Sequence, residues 1–203
     1  MLVGPKYKIC KRLGSSVFEK CQTQKFQLAE ARAPRKTKTK RGGGGDYGIQ
    51  LLEKQKARFT YGLSESQFAR YVSQAMEKKG SDSAAGLVSY LESRLDNAVY
   101  RAGFVKTRRA ARQLVSHGHV VVNGRRVTVP SYRVQEGETV SIREGSKASA
   151  LFVNRAEVAA ESKLPHWLKM EEDLFAVKVV VPPTVSETEV PFNAAVIIQF
   201  YSR

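Results

Sequence analysis

Ser93-Arg94-Leu95-Asp96-Asn97-Ala98-Val99-Tyr100-Arg101-Ala102-Gly103-Phe104 is followed closely by Thr107-Arg108-Arg109-Ala110-Ala111-Arg112-Gln113-Leu114-Val115-Ser116-His117-Gly118-His119. Next comes Val120-Val121-Val122-Asn123-Gly124-Arg125-Arg126-Val127-Thr128-Val129. Apolar residues recur every three to four positions in the first two stretches, the spacing of one face of a helix. In the third, β-branched runs flank Asn123-Gly124. A type I′ turn needs positive φ at both central residues, so Asn-Gly between such runs predicts a hairpin. Thr107 suits an N-cap, because its hydroxyl can accept from the first free backbone N–H groups. A helix is therefore expected from Thr107 to just before Gly118, with Ala111, Leu114 and Val115 on its apolar side.

Working outward, Leu87, Leu91, Leu95 and Val99 stand at i, i+4 spacing. They predict one helix from about Ser83 to Ala102, stopped at Gly103. Ser64-x-x-Gln67 is a capping box. It opens a helix carrying Phe68, Tyr71, Val72, Ala75 and Met76, closed by Gly80. Residues 47–59 read as a short basic helix. On the other side, Glu136-Gly137-Glu138 turns into a strand at Thr139–Arg143. A helix is expected at about Ser149–Glu161. Strands are expected at Ala176–Val181, stopped by Pro182-Pro183, and at Ala195–Tyr201. The class is α+β: a basic N-terminal arm over 1–45, largely irregular, and a helical domain over 46–91. The remainder, 92–203, is a module of helices on a small, bent, mainly antiparallel sheet, with its core at 92–144 and the C-terminal strands completing the sheet.

The 203 residues carry 34 basic and 19 acidic side chains, a formal net charge of +15. Residues 1–60 hold 15 basic against 4 acidic, and residues 61–145 hold 13 against 8. A surplus of this kind repels itself unless a polyanion screens it, and nucleic acid is the commonest such partner. No apolar run reaches the roughly 18 residues of a transmembrane helix. The first residues, Met1-Leu2-Val3-Gly4-Pro5-Lys6, lack the apolar stretch of a secretory signal. Cys10 and Cys21 are the only cysteines, which is no disulfide framework and fits a reducing, cytosolic setting.

No catalytic constellation is visible. His117, His119 and His166 are the only histidines, and no zincin, nucleophile-elbow or dinucleotide motif occurs. Gly42–Gly45 lead to Asp46-Tyr47 rather than to the Lys-Ser/Thr of a phosphate-cradling loop. Two cysteines alone would leave a structural zinc short of ligands. The expectation is a non-enzymatic protein with no metal and no cofactor.

The stretch from Arg94 to Arg112 is rich in Arg instead: Arg94, Arg101, Lys106, Arg108, Arg109 and Arg112 against the single acid Asp96. Arg108 and Arg112 share a helix face at i, i+4, and Arg109 lies beside them. A planar guanidinium takes phosphate oxygens two at a time. Two helices are therefore expected to present their forks to one RNA groove. Gln113, His117, Asn123, Gly124 and Arg125 extend this candidate surface. Lys54, Lys56 and Arg58 of the helical domain, with Lys6, Lys11 and Arg12 of the arm, join the candidate RNA-binding set through the family resemblance of the flanks described next.

The quoted stretch, with Val122-Asn123-Gly124, Pro130-Ser131-Tyr132 and Gly137-x-x-Val140-Ser141-Ile142-Arg143, resembles the small RNA-binding module named after small-subunit ribosomal protein four. Enzymes that act on RNA also carry that module, so the flanks matter. Gly4-Pro5-Lys6, Cys10-Lys11-Arg12, Asp46-Tyr47-Gly48-Ile49-Gln50-Leu51, Tyr61-Gly62, Pro165-x-Trp167-Leu168 and Phe200-Tyr201-Ser202-Arg203 are similar to the bacterial-type ribosomal family itself. That resemblance implies a structural protein of the cytoplasmic small ribosomal subunit, an organelle ribosome remaining open. It implies primary binding of small-subunit rRNA at a helix junction of the 5′ domain, nucleation of subunit assembly and influence on decoding accuracy. Small-subunit protein five would be a neighbour, mRNA would pass nearby where it enters the subunit, and no homo-oligomer or membrane is involved. The alternative is an RNA chaperone or stalled-ribosome binder using the same module. Two departures stand out. Some members hold zinc with four N-terminal cysteines, where this chain has Tyr7 and an incomplete pair. The family's Pro-Gly-Gln-His-Gly is replaced by Lys40-Arg41-Gly42-Gly43-Gly44-Gly45.

Overall fold

The computed structural model describes residues 4–32, 45–77, 82–152, 164–183 and 190–202. It divides into two units: Met1–Leu87 with Ser186–Arg203, and Val88–Val185.

The first unit opens with α1 (Lys6–Leu13), which ends at Gly14 in a left-handed conformation. A 3-10 turn (Glu19–Cys21) and α2 (Gln24–Arg32) follow. The expectation of a largely irregular arm is thus corrected for residues 4–32. Cys10, Phe18, Cys21 and Phe26 form a small apolar cluster, with Ile9 and Phe59 packed on it. Cys10 and Cys21 are joined as a disulfide with their Cα atoms 6.7 Å apart, which corrects the expectation that this pair stays reduced. This cluster gives the two short helices a core that their irregular apolar spacing hides in the sequence.

Helix α3 (Asp46–Thr60) realises the basic helix, and α4 (Glu65–Glu77) starts where the capping box places it. Gln67 N donates to Ser64 Oγ at 3.3 Å. Phe68, Val72 and Ala75 are buried. Gly80 lies outside the described residues.

Helix α5 (Ser83–Glu92) does not run on to Ala102. The chain breaks at Ser93-Arg94 and restarts as α6 (Leu95–Arg101). The cause is a distant backbone partner. Arg94 bridges Arg133, Val134 N donates to Ser93 O at 2.8 Å, and Leu95 N donates to Tyr132 O at 2.8 Å. Arg94 is extended, with φ −67° and ψ 138°. Leu91, Leu95 and Val99 stay buried across the break, so the apolar period continues while the helix does not.

Helix α7 (Arg108–Ser116) begins with Thr107 Oγ1 accepting from Ala110 N at 3.0 Å. It buries Ala111, Leu114 and Val115. Then come β1 (Val120–Val122), β2 (Arg125–Arg126) and β3 (Thr139–Ile142). Asn123 (φ 48°) and Gly124 (φ 77°) form the expected hairpin turn. After a short α8 (Glu144–Lys147) and a 3-10 turn at Ala150–Phe152, the chain forms β4 (Leu168–Met170) and β5 (Ala176–Val179). Most of the helix expected at 149–161 lies outside the described residues. The sheet order is β2-β1-β3-β5-β4, antiparallel throughout. Its inner face, with Val120, Val122, Val140, Ile142, Val177 and Val179, packs with Leu95, Ala98, Val99, Ala111, Leu114, Val115 and Trp167 in one core.

Residues 195–201 are not a sheet-completing strand. They belong to α9 (Ala194–Tyr201), in the first unit. Asn193 caps it by accepting from Val196 N at 3.2 Å. Asn193 N itself donates to Glu53 Oε2 of α3 at 2.8 Å. Short β-branched runs such as Val196-Ile197-Ile198 cannot be assigned by period alone; the Asn cap and the α3 surface decide for helix. Strand β4, absent from the sequence reading, holds the outer place next to β5.

Candidate nucleic-acid interface

The break between α5 and α6 places two buried carboxylates among arginines of α6, α7 and the break itself. Glu92 ends α5 and is fully buried; Asp96 stands in the first turn of α6. Arg101 meets Glu92 fork to fork, Nε to Oε2 at 2.9 Å and Nη2 to Oε1 at 3.0 Å. Asn97 links Glu92 to α7: its Nδ2 donates to Glu92 Oε2 at 2.8 Å, and its Oδ1 accepts from Arg108 Nε at 2.8 Å. The Arg108 guanidinium lies over the Tyr100 ring, 4.3 Å from the centroid. Asp96 accepts from Arg112 Nε and Nη2 at 2.9 and 2.7 Å.

Arg94 also pairs with Asp96, Nε to Oδ1 at 3.0 Å and Nη2 to Oδ2 at 2.8 Å, with only 2% of its side chain exposed. The expectation that Arg94 offers its fork to a groove is corrected. Its backbone is held in the β-bridge, which turns the side chain inward to Asp96. Arg101, Arg108 and Arg112 keep 18%, 22% and 32% of their side chains exposed. The local basic excess is therefore partly neutralised from within, by Glu92 and Asp96.

Lys106, Arg109, Gln113 and His117 are exposed on α7 and its flanks. Asn123, Gly124 and Arg125 are exposed at the hairpin tip. Asn123 Oδ1 accepts from Thr139 N at 2.9 Å, which fixes the tip to β3. A Cβ at Gly124 would meet nothing, so another molecule could approach the backbone there.

Arg126 was not among the expected site residues. Its guanidinium lies where a Cβ of Gly118 would be, and its Nη2 donates to His117 O at 3.3 Å. A cation there also suits the negative end of the α7 macrodipole. The sequence signal is Gly118 itself, just beyond the helix end. Arg133, stacked on Tyr90 at 4.3 Å, is a further exposed cation outside the expected set.

The expected cations of α3 are tied to acids. Lys54 donates to Glu65 at 2.7 Å and lies 4.5 Å from the Phe200 ring centroid. Lys56 pairs with Glu53 at 2.6 Å, and Arg58 with Glu65 at 2.9 Å. Tyr201 Oη donates to Glu65 Oε1 at 2.9 Å. Burial pushes the Glu65 carboxyl up. Hydrogen bonds from Lys54 and Tyr201, the Lys54 charge and Arg58 outweigh that, and its pKa falls below the ordinary value. Burial, then Glu65, pushes the Tyr201 phenol well above the usual range. Lys6 lies over Phe18, while Lys11 and Arg12 are exposed at the end of α1.

Among the described residues, no group of three His, Cys, Asp or Glu side chains is placed to hold a metal. No described helix is long and apolar enough to cross a membrane.

Two helices on an antiparallel sheet, with a basic helix face and an exposed hairpin, define an RNA-binding module class. Residues 93–140 match the S4 domain, and residues 1–92 match the ribosomal protein S4/S9 N-terminal domain. The Persephonella marina small ribosomal subunit protein uS4 is 43% identical over 204 residues, covering 98% of each chain. The uS4 proteins of Natranaerobius thermophilus and Roseiflexus castenholzii are each 42% identical, covering 98% and 99% of this chain and 98% of their own. The chain belongs to the small ribosomal subunit protein uS4 family, a structural and non-enzymatic family of the ribosome.

Proposed function

We propose that this chain binds small-subunit rRNA as a primary, stoichiometric component of the small ribosomal subunit. The observation that carries the reading is the exposed row Lys106, Arg109, Gln113 and His117, beside partly exposed Arg108 and Arg112 and the Asn123–Arg125 tip. Their donors suit phosphates and the shape of folded RNA rather than base edges, and RNA is recognised largely through such shape. Lys11 and Arg12 add exposed cations from the first unit. The RNA target in this reading is a helix junction in the 5′ domain. Binding there would nucleate assembly, with small-subunit protein five as a neighbour, mRNA entering nearby and decoding accuracy responding to the contact. The chain acts as a single copy.

A titration against a 5′-domain fragment and a scrambled RNA of equal length, at several salt concentrations, tests this. Preference for the folded fragment that survives moderate salt is expected. Equal binding to both, lost steeply with salt, would leave a generic polycation and favour the chaperone reading.

A further inference from the structure

Glu92 and Asp96 pose an electrostatic question. A carboxylate beside a phosphate-binding surface repels the ligand, and two of them should weaken RNA binding by Coulomb's law alone. Yet both are buried at the break between α5 and α6, and each is engaged by more than one side chain. Glu92 fixes Arg101 through a two-point fork and fixes Arg108 through Asn97. Asp96 fixes Arg112 from below while Arg94 closes its inner side. A long guanidinium side chain normally loses rotamer freedom when it binds. Forks held in advance lose little, and the part of each side chain that stays exposed keeps a set orientation.

Resting on the RNA-binding reading above, we infer that Glu92 and Asp96 are positioning residues for RNA recognition. They lower the chain's attraction for polyanions in general and raise its discrimination for one folded RNA surface. They touch no RNA; they act through Arg101, Arg108 and Arg112. Removing either charge is therefore expected to weaken binding to the folded RNA without weakening binding to an unrelated one, which a purely structural role would not produce.

The test uses the full chain, wild type and the near-isosteric variants Glu92→Gln and Asp96→Asn, with the folded 5′-domain fragment and the scrambled RNA. Circular dichroism checks the fold of each. The scrambled RNA is expected to bind each variant as tightly as wild type or tighter. The ratio of affinities for folded over scrambled RNA is expected to drop about tenfold. A third variant, Glu92→Asp, keeps the charge and shortens the reach, so it decides the matter if the neutral variants fail to fold. It is expected to lose discrimination at unchanged net charge. Folded variants that discriminate as well as wild type would overturn the inference and leave the RNA-binding reading intact. A wild-type chain that does not discriminate would overturn both.

Discussion

The Arg126 guanidinium rests across Gly118, in the space a Cβ would fill, while donating to the neighbouring His117 carbonyl. Gly118 has a φ of 74°, a region costing other residues roughly 1–2 kcal/mol. Gly118→Ala is expected to destabilise the chain by more than that, because the guanidinium must also move. Arg126→Ala should relieve only the second part. Denaturant melts of the two single variants and the double variant give this directly: the cost of Gly118→Ala is expected to shrink when Arg126 is already Ala.

Arg94 and Asp96 form an ion pair in which neither side chain is more than 5% exposed. Removing one partner of such a pair leaves a buried charge without compensation, typically about 3–5 kcal/mol. Asp96→Ala is expected to fall in that range by urea unfolding. Arg112→Ala, which removes only the outer partner of the same carboxylate, is expected to cost much less.

The stretches legible in sequence are those whose signals are local. Thr107 capping α7, the Asn123-Gly124 turn and the Ser64 capping box each act within a few residues of where they stand, and each is found in place. The break at Ser93-Arg94 was not legible. It is imposed by the backbone of residues 130–134, far along the chain, while the Leu91, Leu95, Val99 repeat carries on unchanged. The same distant pairing turned Arg94 from an expected RNA ligand into a buried partner of Asp96. Val196-Ile197-Ile198 suits a strand as well as a helix, and the Asn193 cap together with packing on α3 makes it the helix α9 rather than the expected strand. Arginine counts showed a basic face but not which forks its own acids engage. Glu92 lies just outside the stretch counted and turned out to be the anchor of Arg101.

Glu65 gathers Lys54, Arg58 and Tyr201 around one carboxylate. Its pKa is lowered in the folded chain, against an ordinary value of 4.5. A lowered carboxylate contributes stability that is present above the unfolded pKa and lost as pH falls through the folded one. Urea midpoints are therefore expected to fall on acidification below about pH 4.5, and Glu65→Gln should flatten that dependence. An equally steep loss in the variant would assign the acid sensitivity to other carboxylates.

Ile197 of α9 is fully buried in the first unit. Ile197→Ala is expected to cost about 2–5 kcal/mol, the usual range for truncating a buried aliphatic side chain. Thermal unfolding would register it. Ala195→Ser, at an exposed position of the same helix, should leave the transition within about 0.5 kcal/mol of wild type.

As an integral RNA-bound part of the small subunit, this chain should stay with the particle through purification. The most direct test is quantitative mass spectrometry of small subunits purified from cells expressing the chain and washed at high salt. Retention at the same copy number as the subunit's rRNA is the expected result. Recovery well below that number, or release by the salt wash, would contradict it.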